Sequence, residues 1–236
     1  MSRTGGGPGT NQFGVRGVGK SSAQSHGREP EITLPTSVHD VQYGATPLDP
    51  DYYDFLTPEY QSLKSLDALN KAEAANIRPA LRWINQQMPS VDELLTQHYL
   101  RDLHRRMYED VWTWSGKLRT RQTNIGVDPS QIIEQWQMVL GNIQYQIEQA
   151  SVPPVEIGDR LHRQMLAIHC FPNGNGRHAR IVANKLAETM GLGSQVYSWG
   201  QRSNAHVEEK RQQYLAALKI ADATDDYEPL IAVALS

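Results

Sequence analysis

The sequence contains only one cysteine, Cys170, among its 236 residues. A lone thiol cannot form an intramolecular disulfide, and it cannot build a thiolate zinc cluster. Cysteine usage of this kind is typical of a reducing compartment. We therefore expect a cytoplasmic protein whose fold does not depend on cross-links within the chain.

Long hydrophobic runs are also missing. Nowhere do about 18 consecutive apolar residues occur, which is the length that a membrane-spanning helix needs. The first thirty residues contain no apolar core of the kind found in secretory signal peptides. The sequence therefore predicts a protein with no membrane partner.

Charge of one sign is not in excess, because 23 Lys and Arg stand against 26 Asp and Glu, for a net charge of -3. A dedicated nucleic-acid binder ordinarily carries a basic surplus. Nucleic acid is therefore not an expected partner of the main body of the chain. Any nucleotide has to be held by a local site.

Residues 1–30 have little apolar surface to bury and hold eight of the 18 glycines. They are predicted to form a disordered, weakly basic tail that contacts nucleic acid at most weakly. The run from Gly14 to Ser21 fits the P-loop spacing GxxxxGK[ST], but its flanks resemble neither a buried strand nor an apolar helix, so it is interpreted as linker. Residues 31–64 are predicted to form an irregular extension.

Residues 65–236 are predicted to form one all-α domain, because apolar residues recur there at helical spacing. The predicted helices cover 65–87, with a kink or break at Pro79, then 92–114, 130–150, 179–190, 208–223 and 228–235, and a further helix starts at the Pro153–Pro154 pair and leads to His169. The segment Lys117–Val127 is the exception, since polar residues alternate with Leu118 and Ile125 before Gly126. That alternation favours a short β-hairpin.

The most informative stretch is HCFPNGNGRHAR, residues 169–180, where one predicted helix ends and another begins. Unpaired amides and the helix dipole make the start of a helix an anion site. Gly174 and Gly176 let the backbone approach a phosphate, and Asn175 tolerates left-handed geometry while offering a side-chain amide. The sequence therefore predicts a phosphate-binding loop.

Three charged or titratable side chains flank this loop. Arg177 and Arg180 are three residues apart, so both project from one face of the helix and can bind further phosphate oxygens. His169 precedes the loop, where a neutral imidazole can act as a general base. Taken singly, a histidine at a helix end, an NGNG turn and two arginines are usually structural; their coincidence within twelve residues favours function.

HCFPNGNGRHAR resembles the signature HPFxxGNGRxxR of the Fic family. The preceding segment DLHRRMYEDVWTWSGKLRT is similar to the stretch before the Fic flap, and residues 69–236 resemble the bacterial subgroup called mobile mystery protein B. The resemblance implies a Fic-type helical bundle with a short β-hairpin flap. Within 65–236 it also implies an N-terminal inhibitory helix.

The activity implied by this resemblance is that of a protein adenylyltransferase, which transfers AMP from ATP to a Tyr, Thr or Ser hydroxyl of a target protein. Two alternatives stay open. One is a Fic-type transferase that uses another nucleotide or phosphate-containing donor. The other is a nucleotide-binding regulator without catalysis.

The resemblance also implies roles for individual residues. His169 is the implied base and Phe171 the anchor of the loop in the core, while the amides of Gly174, Asn175 and Gly176 bind the α- and β-phosphates. Arg177 and Arg180 bind the β- and γ-phosphates. The implied target-docking flap includes Lys117, Leu118, Arg119, Thr120, Asn124, Ile125 and Gly126.

Two positions depart from the family pattern. Asn173 stands where the family has an acidic ligand of Mg²⁺, so Mg²⁺ is expected to be held mainly by the ATP phosphates and only weakly by Asn173. Cys170 replaces a proline and is expected to be buried and inert.

The implied inhibitory helix contains Glu73, within LNKAEAANI. The family pattern predicts that this glutamate pairs with the second motif arginine, Arg180, and displaces the γ-phosphate. The alternative is a solvated glutamate without a regulatory role.

Overall fold

The computed structural model describes residues 50–63 and 65–236, and this part of the chain is helical, which confirms the predicted all-α fold. The predicted tail 1–30, the Gly14–Ser21 run and residues 31–49 lie outside the described residues. Eight α-helices are described: α1 Leu66–Gln86, α2 Val91–Leu94, α3 Gln97–Tyr108, α4 Ile132–Glu148, α5 Pro154–Ile168, α6 Asn175–Thr189, α7 Val207–Thr224 and α8 Glu228–Leu235.

Short 3₁₀-helices add to these at Pro50–Phe55 and Pro129–Gln131. The first lies in the extension that was predicted to be irregular. It is followed by the one isolated β-bridge of the described chain, which pairs Leu56 with Trp112. In the described part of the chain, no helix combines the length and apolar character needed to cross a membrane.

Two predicted helix boundaries are wrong. α1 is one continuous helix through Pro79, so the helix does not break there. The predicted helix 92–114 is two helices, because the Thr96 side chain accepts a hydrogen bond from the Tyr99 amide and starts α3 anew. α3 then ends at Tyr108, and residues 109–116 continue as turns with one bridge residue.

No strand forms in Lys117–Val127, so the predicted β-hairpin was wrong. The backbone groups of this segment bond to the end of α5 instead of to each other. The Arg119 amide donates to the Cys170 carbonyl at 3.0 Å, and the Val127 amide donates to the Ile168 carbonyl at 3.3 Å. The segment is therefore an irregular loop fastened to the motif.

The main core lies among α1, α3, α4, α5 and α6, and aromatic side chains fill much of it. Tyr108, Trp112, Trp136 and Phe171 are all buried there. α7 and α8 form a smaller apolar cluster around Tyr214, which packs against Leu166 of α5. The turn between α5 and α6 thus lies between the main core and the C-terminal helices.

The start of α3 provides a test of this local reading. Thr96→Ala removes the cap from the helix that carries His104 and Tyr108, so we expect the free energy of unfolding to fall by about 1 kcal/mol. Thr96 is exposed, so packing losses should be small. Urea denaturation measures the change, and Thr96→Ser should restore most of the stability. Equal stability of Thr96→Ala and the wild type would contradict the capping role.

Candidate active site

The site is the turn that joins α5 to α6. α5 ends at Ile168 and is capped by His169, whose backbone is left-handed with φ 54° and ψ 62°, and α6 begins after Gly174, which is left-handed with φ 78°. These two residues reverse the chain over a short distance. The turn borders a cavity of about 300 Å³, whose walls come from α5, α6, α7 and the loop at Gly126.

Gly174 is required by space as well as by its backbone angle. A Cβ at this position would lie 2.6 Å from the ring of Tyr108. The Gly174 amide donates to the Asn173 side-chain oxygen at 2.7 Å. This amide is therefore already engaged inside the loop, contrary to the expectation that it binds phosphate.

The side chain of Asn175 closes the loop. Its oxygen accepts from the Phe171 amide at 2.9 Å, and its nitrogen donates to the Phe171 carbonyl at 2.8 Å. Two parts of the prediction are corrected by this geometry. The left-handed residue is Gly174 and not Asn175. The side-chain amide of Asn175 holds the turn and not a phosphate, whereas its backbone amide is not used in this contact.

The candidate anion site is the backbone at the start of α6, as predicted. The first helical hydrogen bond joins the His178 amide to the Gly174 carbonyl at 3.0 Å. The amides of Asn175, Gly176 and Arg177 therefore precede the hydrogen-bonded helix. A Cβ at Gly176 would meet no atom closer than 3.9 Å, so this glycine leaves space that faces the cavity.

Both motif arginines line the cavity. Arg180 lies on aromatic surface, with its guanidinium carbon 4.9 Å from the ring centroid of Tyr214 and 5.8 Å from that of Trp199. The Tyr214 hydroxyl lies 3.2 Å from Nε2 of His162. Tyr214 also lines the cavity, although it was not among the predicted site residues.

Arg177 forms an ion pair with Glu73 of α1. The distance from Arg177 Nη1 to Glu73 Oε2 is 2.5 Å, and the other oxygen of Glu73 accepts from Trp112 Nε1 at 2.6 Å. Only 2% of Glu73 is exposed. The predicted partner Arg180 was therefore wrong, and so was the alternative of a solvated glutamate.

His169 is 7% exposed, and its Nδ1 has no hydrogen-bond partner within the described residues. Burial, together with the positive charge of Arg119, lowers the pKa of His169 to about 4. The imidazole is therefore neutral at pH 7 and can accept a proton. Because it lines the same cavity as Gly176 and Arg177, a base and an anion site share one space.

The loop Lys117–Val127 contributes unequally to this cavity. Ile125 and Gly126 line it, whereas Lys117, Thr120 and Asn124 are exposed on the surface and Leu118 packs partly against the main core. Gly126 presses on the motif, since a Cβ there would lie 2.7 Å from Cβ of His169. Arg119 is buried beneath the loop.

The residues present do not form a metal site of their own. The Asn173 side-chain oxygen already accepts from the Gly174 amide, and its backbone carbonyl faces His104 Nε2 at 3.1 Å. Across the described residues, no group of three or more His, Cys, Asp or Glu side chains is placed to hold an ion. Asn173 therefore fits Mg²⁺ poorly.

His104 supports the loop from below, and the sequence analysis missed it. Its Nδ1 accepts from the Gly116 amide at 3.1 Å, so Nε2 carries the proton and donates to the Asn173 carbonyl. The ring stacks on Phe171 with centroids 3.6 Å apart. Only its position on the buried face of a predicted helix could have drawn attention to it.

Phe171 is buried between His104 and Trp136, which places it in the main core as the loop anchor requires. Cys170 is also buried, and burial raises the pKa of its thiol to about 12. The thiol therefore stays protonated at neutral pH. It matches the expectation of a buried, inert cysteine.

Burial should make the fold sensitive to acid. Burial lowers the pKa of His104, His162, His169 and His178, to about 4 for the last two, whereas the unfolded chain protonates near 6.5. The unfolded state therefore binds more protons, and stability is lost as pH falls from about 6.5 to 4. Burial raises the pKa of Asp159 to about 8, which offsets one histidine in this window because the folded state keeps that proton.

We expect the free energy of unfolding to fall by roughly 4 kcal/mol per pH unit near pH 5, since three histidines remain after the offset by Asp159 and each contributes about 1.4 kcal/mol per unit. Urea denaturation between pH 7.5 and 5 measures this slope. The exposed His98 supplies the control, because His98→Gln should leave the slope unchanged. A flat profile over this range would rule out the neutral buried histidines.

Comparison with known proteins places this site in a family. The family model for the Fic/DOC family matches residues 94–187. Two curated relatives, the proteins named protein adenylyltransferase fic-1 of Caenorhabditis elegans and Caenorhabditis briggsae, are each 26% identical over 65% of this chain. The matched region is only 29% of their length.

Solved structures share the fold. Residues 134–508 of Fic-1 from C. elegans match with a TM-score of 0.54 and 24% identity, over 74% of this chain and 49% of that one. BepC from Bartonella tribocorum, solved with bound AMPPNP, matches with a TM-score of 0.56 and 13% identity, over 78% of this chain and 96% of that one. The N-terminal Fic domain of an effector protein from Bartonella sp. AR 15-3 matches with a TM-score of 0.57 and 15% identity, over 80% of this chain and 92% of that one. The segment 94–187 of this chain, which contains the motif turn, thus matches the Fic/DOC family.

Proposed function

We propose that this protein is a protein adenylyltransferase that transfers AMP from ATP to a Tyr, Thr or Ser hydroxyl of a target protein. The observation that supports this most directly is the shared cavity, which is lined both by the neutral His169 and by the residues at the start of α6. A triphosphate needs the amides and arginines, and a hydroxyl nucleophile needs the base. The adenylyltransferase names of the two curated relatives agree with this reading.

The chemistry follows from that arrangement. The target hydroxyl oxygen attacks the α-phosphorus and gives its proton to the His169 imidazole. A new oxygen–phosphorus bond forms, the bond from the α-phosphorus to the bridging oxygen breaks, and pyrophosphate leaves with that electron pair. The amides of Asn175 and Gly176 and the guanidinium of Arg180 stabilise the negative charge, which is where such sites gain most of their rate.

The loop Lys117–Val127 is the proposed docking site for the target. It lies across the end of α5 and presents exposed polar groups beside the cavity, including Lys117, Thr120 and Asn124. A target segment can pair with exposed backbone of such a loop, a mode that depends on main-chain hydrogen bonds more than on side chains.

Mg²⁺ is proposed to enter with ATP, whose phosphates hold it. When bound, it neutralises phosphate charge. The loop supplies at most a weakly placed amide oxygen from Asn173, because that oxygen is already bonded to the Gly174 amide. No step of the reaction is assigned to the ion.

Replacement of the base tests the proposal. His169→Ala should lower the transfer of labelled AMP by roughly 10²–10⁴-fold, the usual contribution of a general base. Binding of ATP should be retained, because the amides and arginines are unchanged. Radiolabel transfer to protein, measured beside ATP binding by calorimetry, checks both, and equal labelling by the two proteins would remove His169 as the base.

The donor is tested by the same preparation. A panel of nucleoside triphosphates and CDP-choline, each in a thermal-shift experiment, should identify the ligand, because one at 100 times its Kd stabilises by about 2.7 kcal/mol. Stabilisation by another donor with matching transfer would replace ATP in the proposal. Binding without transfer at any Mg²⁺ or Mn²⁺ concentration would favour a non-catalytic regulator.

Glu73 is proposed to restrain the site, since its carboxylate occupies the guanidinium of Arg177 that a phosphate needs. Glu73→Gln removes the competing charge but keeps an acceptor for Trp112 Nε1. We expect ATP binding to tighten about tenfold, equivalent to about 1.4 kcal/mol. Calorimetry measures this, with Glu93→Gln, an exposed capping residue of α2, as the charge-matched control. Unchanged affinity in Glu73→Gln would contradict the restraint.

A further inference from the structure

Arg119 is a buried cation surrounded by backbone oxygen atoms. Only 3% of the residue is exposed. Its Nε donates to the His169 carbonyl at 2.6 Å, and its Nη2 donates to the Ile168 carbonyl at 3.3 Å. Its own amide donates to the Cys170 carbonyl at 3.0 Å, so the three successive carbonyls of Ile168, His169 and Cys170, where α5 meets the motif, bond to this one residue.

These carbonyls lie where α5 ends. The last carbonyls of a helix have no partner within the helix, and the helix dipole places negative potential there. A guanidinium is always charged and offers several donors in a fixed plane, so it satisfies both requirements at once. Arg119 thus caps α5 although it is distant in sequence.

The same side chain holds the docking loop. Nη1 donates to the Arg121 carbonyl at 3.0 Å, and Nη2 also donates to the Val127 carbonyl. Between these points Gly126 is pressed against the motif, because a Cβ there would lie 2.7 Å from Arg119 Nη2 and 2.7 Å from His169 Cβ. The loop and the end of α5 are therefore held as one unit.

His169 needs such support because a residue other than glycine is disfavoured in the left-handed conformation. Its φ of 54° determines where the imidazole points. The hydrogen bond from Arg119 Nε to its carbonyl fixes the orientation of the following peptide plane. Loss of this bond would let the imidazole leave its place in the cavity wall.

We propose that Arg119 is a positioning residue, which fixes the turn at His169 and holds the loop 119–127 over it, so that one guanidinium orients the base and the target-docking segment together. The inference rests on the proposed function for the role of the base. Its structural part, the coupling of loop and turn, can be tested without any transfer reaction.

The charge of Arg119 acts on His169 as well, and it helps to lower the pKa of the imidazole. Other charged or titratable groups share the cavity and contribute to the same field. They are Arg163 on α5, Arg177 and Arg180 on α6, and Tyr214 and Asp222 on α7. Removal of the Arg119 charge alone should therefore shift the pKa of His169 upward without returning it fully to 6.5.

Two substitutions separate geometry from charge. Arg119→Lys keeps the charge but loses the planar fork, and Arg119→Gln loses both. In the full chain we expect Arg119→Lys to lower kcat at least tenfold, to keep KM for ATP within about twofold, and to speed amide exchange at Val127 at least tenfold. Arg119→Gln should in addition raise the pKa of His169, measured by NMR titration of its imidazole.

The controls make failure readable. Arg121→Gln removes an exposed cation from the same loop, and it should leave the His169 titration and the Val127 exchange rate unchanged. If the Arg119 variants do not fold, Gly126→Ala disturbs the same contact from the other side and should lower kcat with the charge in place.

Unaltered exchange at Val127 in Arg119→Lys, or unaltered kcat in Gly126→Ala, would overturn the inference. Absence of AMP transfer in the wild type would instead overturn the proposed function. In that case amide exchange and imidazole titration would still decide whether Arg119 couples the loop to the turn.

Discussion

The paired hydrogen bonds between the Asn175 side chain and the backbone of Phe171 are the constraint on which the site depends. They close the turn between α5 and α6, so the amides at the start of α6 face the cavity. Phe171, held in this way, stacks on His104. Nδ1 of His104 accepts a hydrogen bond from the amide of Gly116, which directly precedes the loop Lys117–Val127. The position of the loop Lys117–Val127 is thus linked to the turn between α5 and α6 through a chain of buried contacts.

The buried charges near this turn are also paired with one another. Glu73 and Arg177 satisfy each other, and Trp112 supplies a further donor to the carboxylate. Removing one partner of a buried pair leaves the other charge uncompensated, which costs several kcal/mol. A phosphate that takes Arg177 therefore leaves the buried Glu73 carboxylate uncompensated, unless α1 or the glutamate side chain moves. This competition gives α1 a direct physical route to influence the anion site.

The sequence was sufficient for the helical class and for the residues around the motif, because helical spacing and the GNG pattern are local signals. It was insufficient where a partner comes from far along the chain. Lys117–Val127 alternates as a strand does, yet its amides at Arg119 and Val127 bond to α5, so the local pattern lost to tertiary contacts. The choice of Arg177 by Glu73 depends on how α1 packs, and no residue pattern near Glu73 records it.

The role of Asn175 shows the same limit on a smaller scale. Its residue type permits left-handed geometry, a phosphate contact or a turn-closing bond, and only the structure selects among them. Gly174 takes the left-handed position because the Tyr108 ring excludes a Cβ there. The role of His104 cannot be recognised from the sequence for a related reason, since a histidine on an apolar helix face is more often structural than functional.

The low pKa of His169 bears on when it can act. A base with a pKa of about 4 is fully neutral at pH 7 but binds a proton weakly. A triphosphate bound as proposed adds negative charge to the same cavity. That charge raises the pKa of His169, and each unit of increase strengthens its hold on a proton by about 1.4 kcal/mol. Under the proposed function, the imidazole therefore becomes an effective base only once the nucleotide is in place, which links proton abstraction to donor binding.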